Sequence, residues 1–135
     1  MKVPLKISLI EDDPDCCKNY SDIFCEQGHD VKAYSNADDV INNIEQIASS
    51  DRIILDLMMQ LGTIIKDFES SETGIAILKR IRNINKDVPI IILTAREKSE
   101  IWEECAPNED DNVRYLGKPI CEEDLLKETE EWSNK

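Results

Sequence analysis

Short runs of β-branched and aliphatic residues alternate along the chain with longer stretches in which apolar residues return every three or four positions. The first run, Leu5 to Ile10, predicts a strand, and the "DDPD" after it offers Asp13 as an N-cap with Pro14 at the first helical position. Cys17, Tyr20 and Phe24 then line one face of a helix that runs towards a stop at Gly28. Asp30 to Tyr34 predicts a second strand. Asn36 predicts the cap of a second helix, whose Val40, Ile41, Ile44 and Ile47 share a face. Arg52 to Leu55 predicts the third strand, ending in Asp56.

Beyond Asp56 the periodicity lapses until Thr73 and Gly74, after which Ile77, Leu78, Ile81 and Ile84 recover a helical spacing. "VPIIILTA" is an uninterrupted apolar run of the kind buried on both faces of a parallel sheet. A helix from about Glu97 to Cys105 follows, then a strand through "NVRYLG", then a last helix with Leu125, Leu126, Thr129 and Trp132 on its inner side. Five strand-helix units predict an α/β fold, a doubly wound five-stranded parallel sheet with helices on both faces and right-handed crossovers. The last helix ends near the last residue, which sets the expectation of one domain with no effector domain behind it.

Polar residues that interrupt apolar runs fall at the carboxyl ends of the expected strands: Glu11, Asp12 and Asp13 after the first, Asp56 after the third, Thr94 after the fourth and Lys118 after the fifth. Ligands of open parallel sheets sit beyond those ends. The fold would therefore gather four distant positions around one crevice. Carboxylates that converge there repel, and one of them takes up a proton unless positive charge lies between them. A hard divalent cation answers this, because magnesium takes oxygen from one or two carboxylates and completes its octahedron with water, carbonyl and phosphate oxygens. Kept ionised by such a cation and by Lys118, Asp56 is a nucleophile towards phosphorus, and the Thr94 hydroxyl is placed to donate to a phosphoryl oxygen.

Composition narrows the field. The chain has 135 residues, 41% of them hydrophobic, enough for one core without metal or disulfide support. Its net charge of −13 opposes binding to a phosphate backbone, so no direct nucleic-acid contact is expected. Acidity concentrates in the last third, with thirteen acids against five bases from Glu97 to Lys135, a face open to a basic partner or simply well solvated. Neither a secretory leader nor an apolar run of membrane length occurs, so a cytoplasmic location away from membranes is expected. The five cysteines, Cys16, Cys17, Cys25, Cys105 and Cys121, form no CxxC pair and read as small packing residues. His29, the sole histidine, follows a glycine turn and is assigned no function.

The motifs "IEDD", "ILDLM", "ILTA" and "YLGKPI", in this order and at strand ends, resemble those of the response regulator receiver domain, the phosphoacceptor module of two-component signalling. The likeness covers essentially the whole chain and implies the flavodoxin-like strand order 2-1-3-4-5. It implies Glu11 and Asp12 as the acidic pair, with Asp12 the more direct ligand of Mg2+ or Mn2+. Asp56 would be the phosphorylated aspartate and itself a metal ligand, the main-chain carbonyl of Met58 a further one, and Lys118 the partner of the phosphoryl group. Thr94 and Tyr115 would couple phosphorylation to a change of surface. The implied partners are a sensor histidine kinase or histidine phosphotransfer protein upstream and a protein effector downstream. Self-phosphorylation and self-dephosphorylation would be its only chemistry.

Two departures from the family pattern stand out. Gln60 occupies a place where a proline is usual, and eighteen positions separate Asp56 from Gly74, about ten more than the family's loop. The added stretch, at about residues 60–73 and including Ile64, Ile65 and Phe68, reads either as a lid or docking loop or as a solvated insertion. An apolar Met58 beside the phosphorus cannot orient a hydrolytic water, which implies slow loss of the phosphoryl group.

Three other readings compete. A haloacid-dehalogenase-type phosphatase needs a second acid two positions after its nucleophile, where Met58 stands. A flavodoxin-like cofactor carrier cradles phosphate in a loop that "EDDPD" would repel. A non-phosphorylated interaction module on the same fold would lack part of the acceptor set.

Overall fold

The computed structural model describes residues 4–56, 70–94, 112–117 and 120–131, and of residues 70–75 and 94 the main chain alone. Five parallel strands form one sheet: β1 (Lys6–Ile10), β2 (Asp30–Tyr34), β3 (Arg52–Asp56), β4 (Ile90–Thr94) and β5 (Val113–Gly117). Their order is β2-β1-β3-β4-β5, the arrangement expected from the sequence. Between and after them lie α1 (Pro14–Glu26), α2 (Ala37–Asn42), α3 (Ile44–Ala48), α4 (Ser70–Ile84) and α5 (Glu122–Glu130). The helix expected at 97–105 and the inward Trp132 fall outside the described residues, as does most of the stretch at 60–73.

Alternation along each strand divides the core in two. Ile7, Leu9, Ile54, Ile91 and Leu93 meet Tyr20, Phe24 and Leu125 from α1 and α5 on one face. Ile10, Ile53, Leu55, Ile90 and Ile92 meet Val40, Ile47, Ile77, Leu78 and Ile81 from α2, α3 and α4 on the other. Side chains of opposite parity along a strand point to opposite faces, so a strand with helices on both sides must be apolar throughout. Ile90 to Leu93 obey this, each fully buried.

Helix ends follow local chemistry. The Asp13 carboxylate accepts from the Asp15 N–H at 3.0 Å and the Cys16 N–H at 3.4 Å, while Pro14 needs no amide partner in the first turn. Gly28, at φ +88°, ends α1 in a left-handed turn that a Cβ would strain. The Asn36 side chain caps α2 through the Asp39 N–H at 2.9 Å.

Three expectations need correction. The second helix is two helices, because the Asn43 side chain donates to the Asp39 carbonyl at 2.8 Å and its own backbone leaves helical geometry at φ −120°. Helix α4 begins at Ser70, four residues before Gly74, since its polar first turn carries no apolar residue to betray it. Ile84 is 49% exposed, because α4 has run past the edge of the core by its last residue. Two isoleucines three positions apart therefore differ sharply. Replacing Ile81 with alanine is expected to cost about 2–5 kcal/mol in urea unfolding, whereas Ile84→Ala should stay within about 0.5 kcal/mol of the parent.

Candidate functional site

Strands β1 and β3 are neighbours in register Ile10↔Leu55, so the residues that follow them emerge side by side. Glu11 is fully buried, Asp56 is 3% exposed and Asp12 is half-buried. One carboxylate oxygen of each lies within 4.8 Å of the others. Asp13 lies outside this trio. Its carboxylate caps α1, and its N–H donates to Glu11 Oε1 at 3.2 Å and so helps orient that one side chain. The Glu11 N–H is itself fixed by the Tyr34 carbonyl at 3.1 Å.

The donor set is all carboxylate oxygen. It suits a hard divalent cation such as Mg2+, which takes one or two carboxylates and fills its other positions with water and phosphate oxygens. Burial pushes the nearby Cys17 thiol up, the Ser21 hydroxyl works against this, and the Glu11 charge adds to it.

Thr94 ends β4, one residue beyond Leu93, which pairs with Asp56, and it pairs with Gly117 of β5. Its main chain thus stands beside the carboxylates, at the same edge of the sheet. Tyr115 pairs with Ile92 and packs, half-buried, against the core face made with α2, α3 and α4. Met58 and Lys118 lie outside the described residues. The structure therefore brings together Glu11, Asp12 and Asp56, with Thr94 at the adjoining strand end.

A model of the response regulator receiver domain matches residues 7–130. The chain belongs to this family. Solved receiver structures share its fold. A CheY-like receiver domain protein from Methanospirillum hungatei JF-1 aligns at a TM-score of 0.72 and 19% identity, over 93% of this chain and 90% of that one. The chemotaxis response regulator CheY4 of Vibrio cholerae aligns at 0.71 and 24%, over 93% and 95%. NtrX from Brucella abortus aligns at 0.70 and 17%, and there this receiver domain spans 25% of the longer chain. A search of curated proteins finds no match. No helix among the described residues is long and apolar enough to cross a membrane.

His29 is the residue that periodicity passed over. It is buried, its Nδ1 accepts the Leu5 N–H at 3.0 Å, and its Nε2 lies 2.7 Å from Glu130 Oε2. The partner is 101 positions away in sequence, and a pairing of that kind leaves no local signal.

Asp12 and Asp13, adjacent in sequence, have separate tasks here, and calorimetry with Mg2+ tells them apart. Asp12→Asn should weaken binding at least about tenfold, the low end of what losing even an outer partner costs. Asp13→Asn keeps an equally good cap and should bind as the parent does.

Proposed function

We propose that this receiver domain accepts a phosphoryl group on Asp56 from a phosphohistidine of a histidine kinase or phosphotransfer protein. An oxygen of the Asp56 carboxylate attacks phosphorus, the bond from phosphorus to the donor's nitrogen breaks, and the electron pair leaves with the imidazole. No base is required, because the attacking carboxylate is already ionised. The observation that carries the reading is the clustering of Glu11, Asp12 and Asp56 within 4.8 Å at the carboxyl end of a parallel sheet.

Glu11 and Asp12 would hold Mg2+ or Mn2+ beside Asp56, and the bound ion would supply charge neutralisation for the phosphoryl oxygens. Asp13, through its N–H, keeps Glu11 turned towards the site. Lys118 is assigned as the second positive charge and Thr94 as the hydroxyl donor, both from their places at strand ends. Tyr115, on β5 and against the core, is assigned to pass the change outward to a protein effector. Met58 as a carbonyl ligand, the role of the stretch at about 60–73, residues 1–135 as one receiver domain, a cytoplasmic location, and the absence of nucleic-acid contacts belong to the same proposal.

The competing interaction module would present this surface without taking a phosphoryl group. Intact mass after incubation with a small phosphodonor and Mg2+ separates the two. The parent should gain one phosphoryl group and Asp56→Asn none; a gain in both, or in neither, overturns the reading.

A further inference from the structure

Helix α4 buries Ile77, Leu78 and Ile81 against the sheet and turns its other side outward. From Thr73 to Lys86 the chain places four of its sixteen bases, Lys79, Arg80, Arg82 and Lys86, and none of its twenty-nine acids. In a molecule of net charge −13 this is a local reversal of sign, which Asp87 brings to a close.

One of the four bases has a structural task. Arg82 donates from Nη1 to the Asn85 carbonyl at 3.2 Å and from Nη2 to the Asn112 carbonyl, just before β5, at 3.1 Å. Asn85 in turn donates from Nδ2 to the Ala48 carbonyl, at the end of α3, at 2.8 Å. These bonds fix the end of α4 to its neighbours. The other three bases are exposed, and no ion pair of Lys79, Arg80 or Lys86 is found among the described residues. The helix dipole explains Arg82, the base of the last turn. It does not explain Lys79 and Arg80, because its effect fades within that turn and both lie before it.

At about 100° per residue, Lys79, Arg80 and Asn83 share one outward arc. Arg80 and Ile84, four positions apart, are neighbours on the helix surface. Ile84 is the one exposed large hydrophobic side chain among the described residues. A single exposed isoleucine is ordinary. An apolar centre rimmed by bases on a fixed backbone is the anatomy of a small protein-binding patch. It lies away from the carboxylates, since α4 ends ahead of the first residue of β4 and the carboxylates emerge at the opposite edge of the sheet.

We propose that Lys79, Arg80, Asn83, Ile84 and Lys86 form a docking patch for an acidic segment of a partner protein, one that brings an aliphatic side chain onto Ile84. Charge complementarity selects this partner. Charges more than roughly 8 Å away are largely screened at physiological ionic strength, so a short acidic segment meets the bases and little of the surrounding negative charge. A nucleic acid or an anionic membrane extends much further, meets the acidic remainder of the chain, and in the first case has no use for an aliphatic centre. A patch of this size binds weakly and reversibly. It stands whether or not Asp56 accepts a phosphoryl group.

Amide chemical shifts of the full chain test the patch, with a short synthetic peptide of glutamates carrying leucines four positions apart as the probe. At low salt the peptide should move the amides from Lys79 to Lys86, the effect should fade as salt is raised, and the same peptide with lysine for glutamate should move none of them. Lys79→Glu together with Arg80→Glu should weaken binding on the order of tenfold, as two exposed attractions become repulsions. Lys79→Gln with Arg80→Gln, which removes the charges without reversing them, should fall between. Ile84→Ala should weaken binding about threefold through lost apolar contact, with urea unfolding as in the parent. Still amides between Lys79 and Lys86, equal binding of the lysine peptide, or unchanged binding in the charge variants overturns the patch. Ile84→Ala binding as the parent does removes its apolar centre and overturns the proposal as well. So does tighter binding at the same amides by a DNA duplex or by phosphatidylserine vesicles, which would make the site one for a polyanion or a membrane.

Discussion

Three carboxylates crowded within 4.8 Å, two of them almost without solvent, are the constraint around which the rest of the structure is arranged. Burying even one such group is unfavourable, and like charges at this spacing add to the cost. The sheet imposes the arrangement regardless, because β1 and β3 are adjacent parallel strands whose ends must emerge together. What holds those ends in place is apolar. Ile10 and Leu55 lie on one face, Leu9 and Ile54 on the other, all fully buried, and none can retreat without opening the core. The sheet thereby fixes the three carboxylates close together at the crevice.

Much of this arrangement is legible in the order of residues along the chain. Strand-end carboxylates announce themselves because an ionisable residue at the close of an apolar run is costly to bury without a partner, and Asp13 with Pro14 spells a helix start. The expected strand order and the meeting of Glu11, Asp12 and Asp56 both occur in the fold. Periodicity fails where another interaction outweighs it. Val40, Ile41, Ile44 and Ile47 keep a single helical phase across a break that the Asn43 side chain makes by bonding to the Asp39 carbonyl. Ile84 has the correct phase but lies beyond the reach of the core. Pro14 already marks Asp13 as the cap of α1 and leaves Asp12 as the ligand candidate; the geometry adds that the Asp13 N–H donates to Glu11. His29 carries no signal at all, since both of its partners come from distant parts of the chain.

Membership of the receiver family gives the crevice its meaning, and the molecule adds a second level to it. The carboxyl edge of the sheet carries the crowded charges. The amino edge carries fixed bonds: Leu5 to His29, Lys6 to the Asp51 carboxylate at 2.8 Å, Arg52 to Thr129. Helices α1 and α5 span the two edges and pack on the same core face.

Urea unfolding of the parent and Asp56→Asn, each in chelator and in saturating Mg2+, measures whether a cation relieves the crowding of these carboxylates. In chelator, Asp56→Asn should be the more stable of the two, because one of three crowded charges is gone. In Mg2+ at a hundred times its dissociation constant the parent should gain about 2.7 kcal/mol and the order should reverse. A parent whose unfolding midpoint ignores Mg2+, or an Asp56→Asn protein less stable than the parent in chelator, would show that the cation relieves no such crowding.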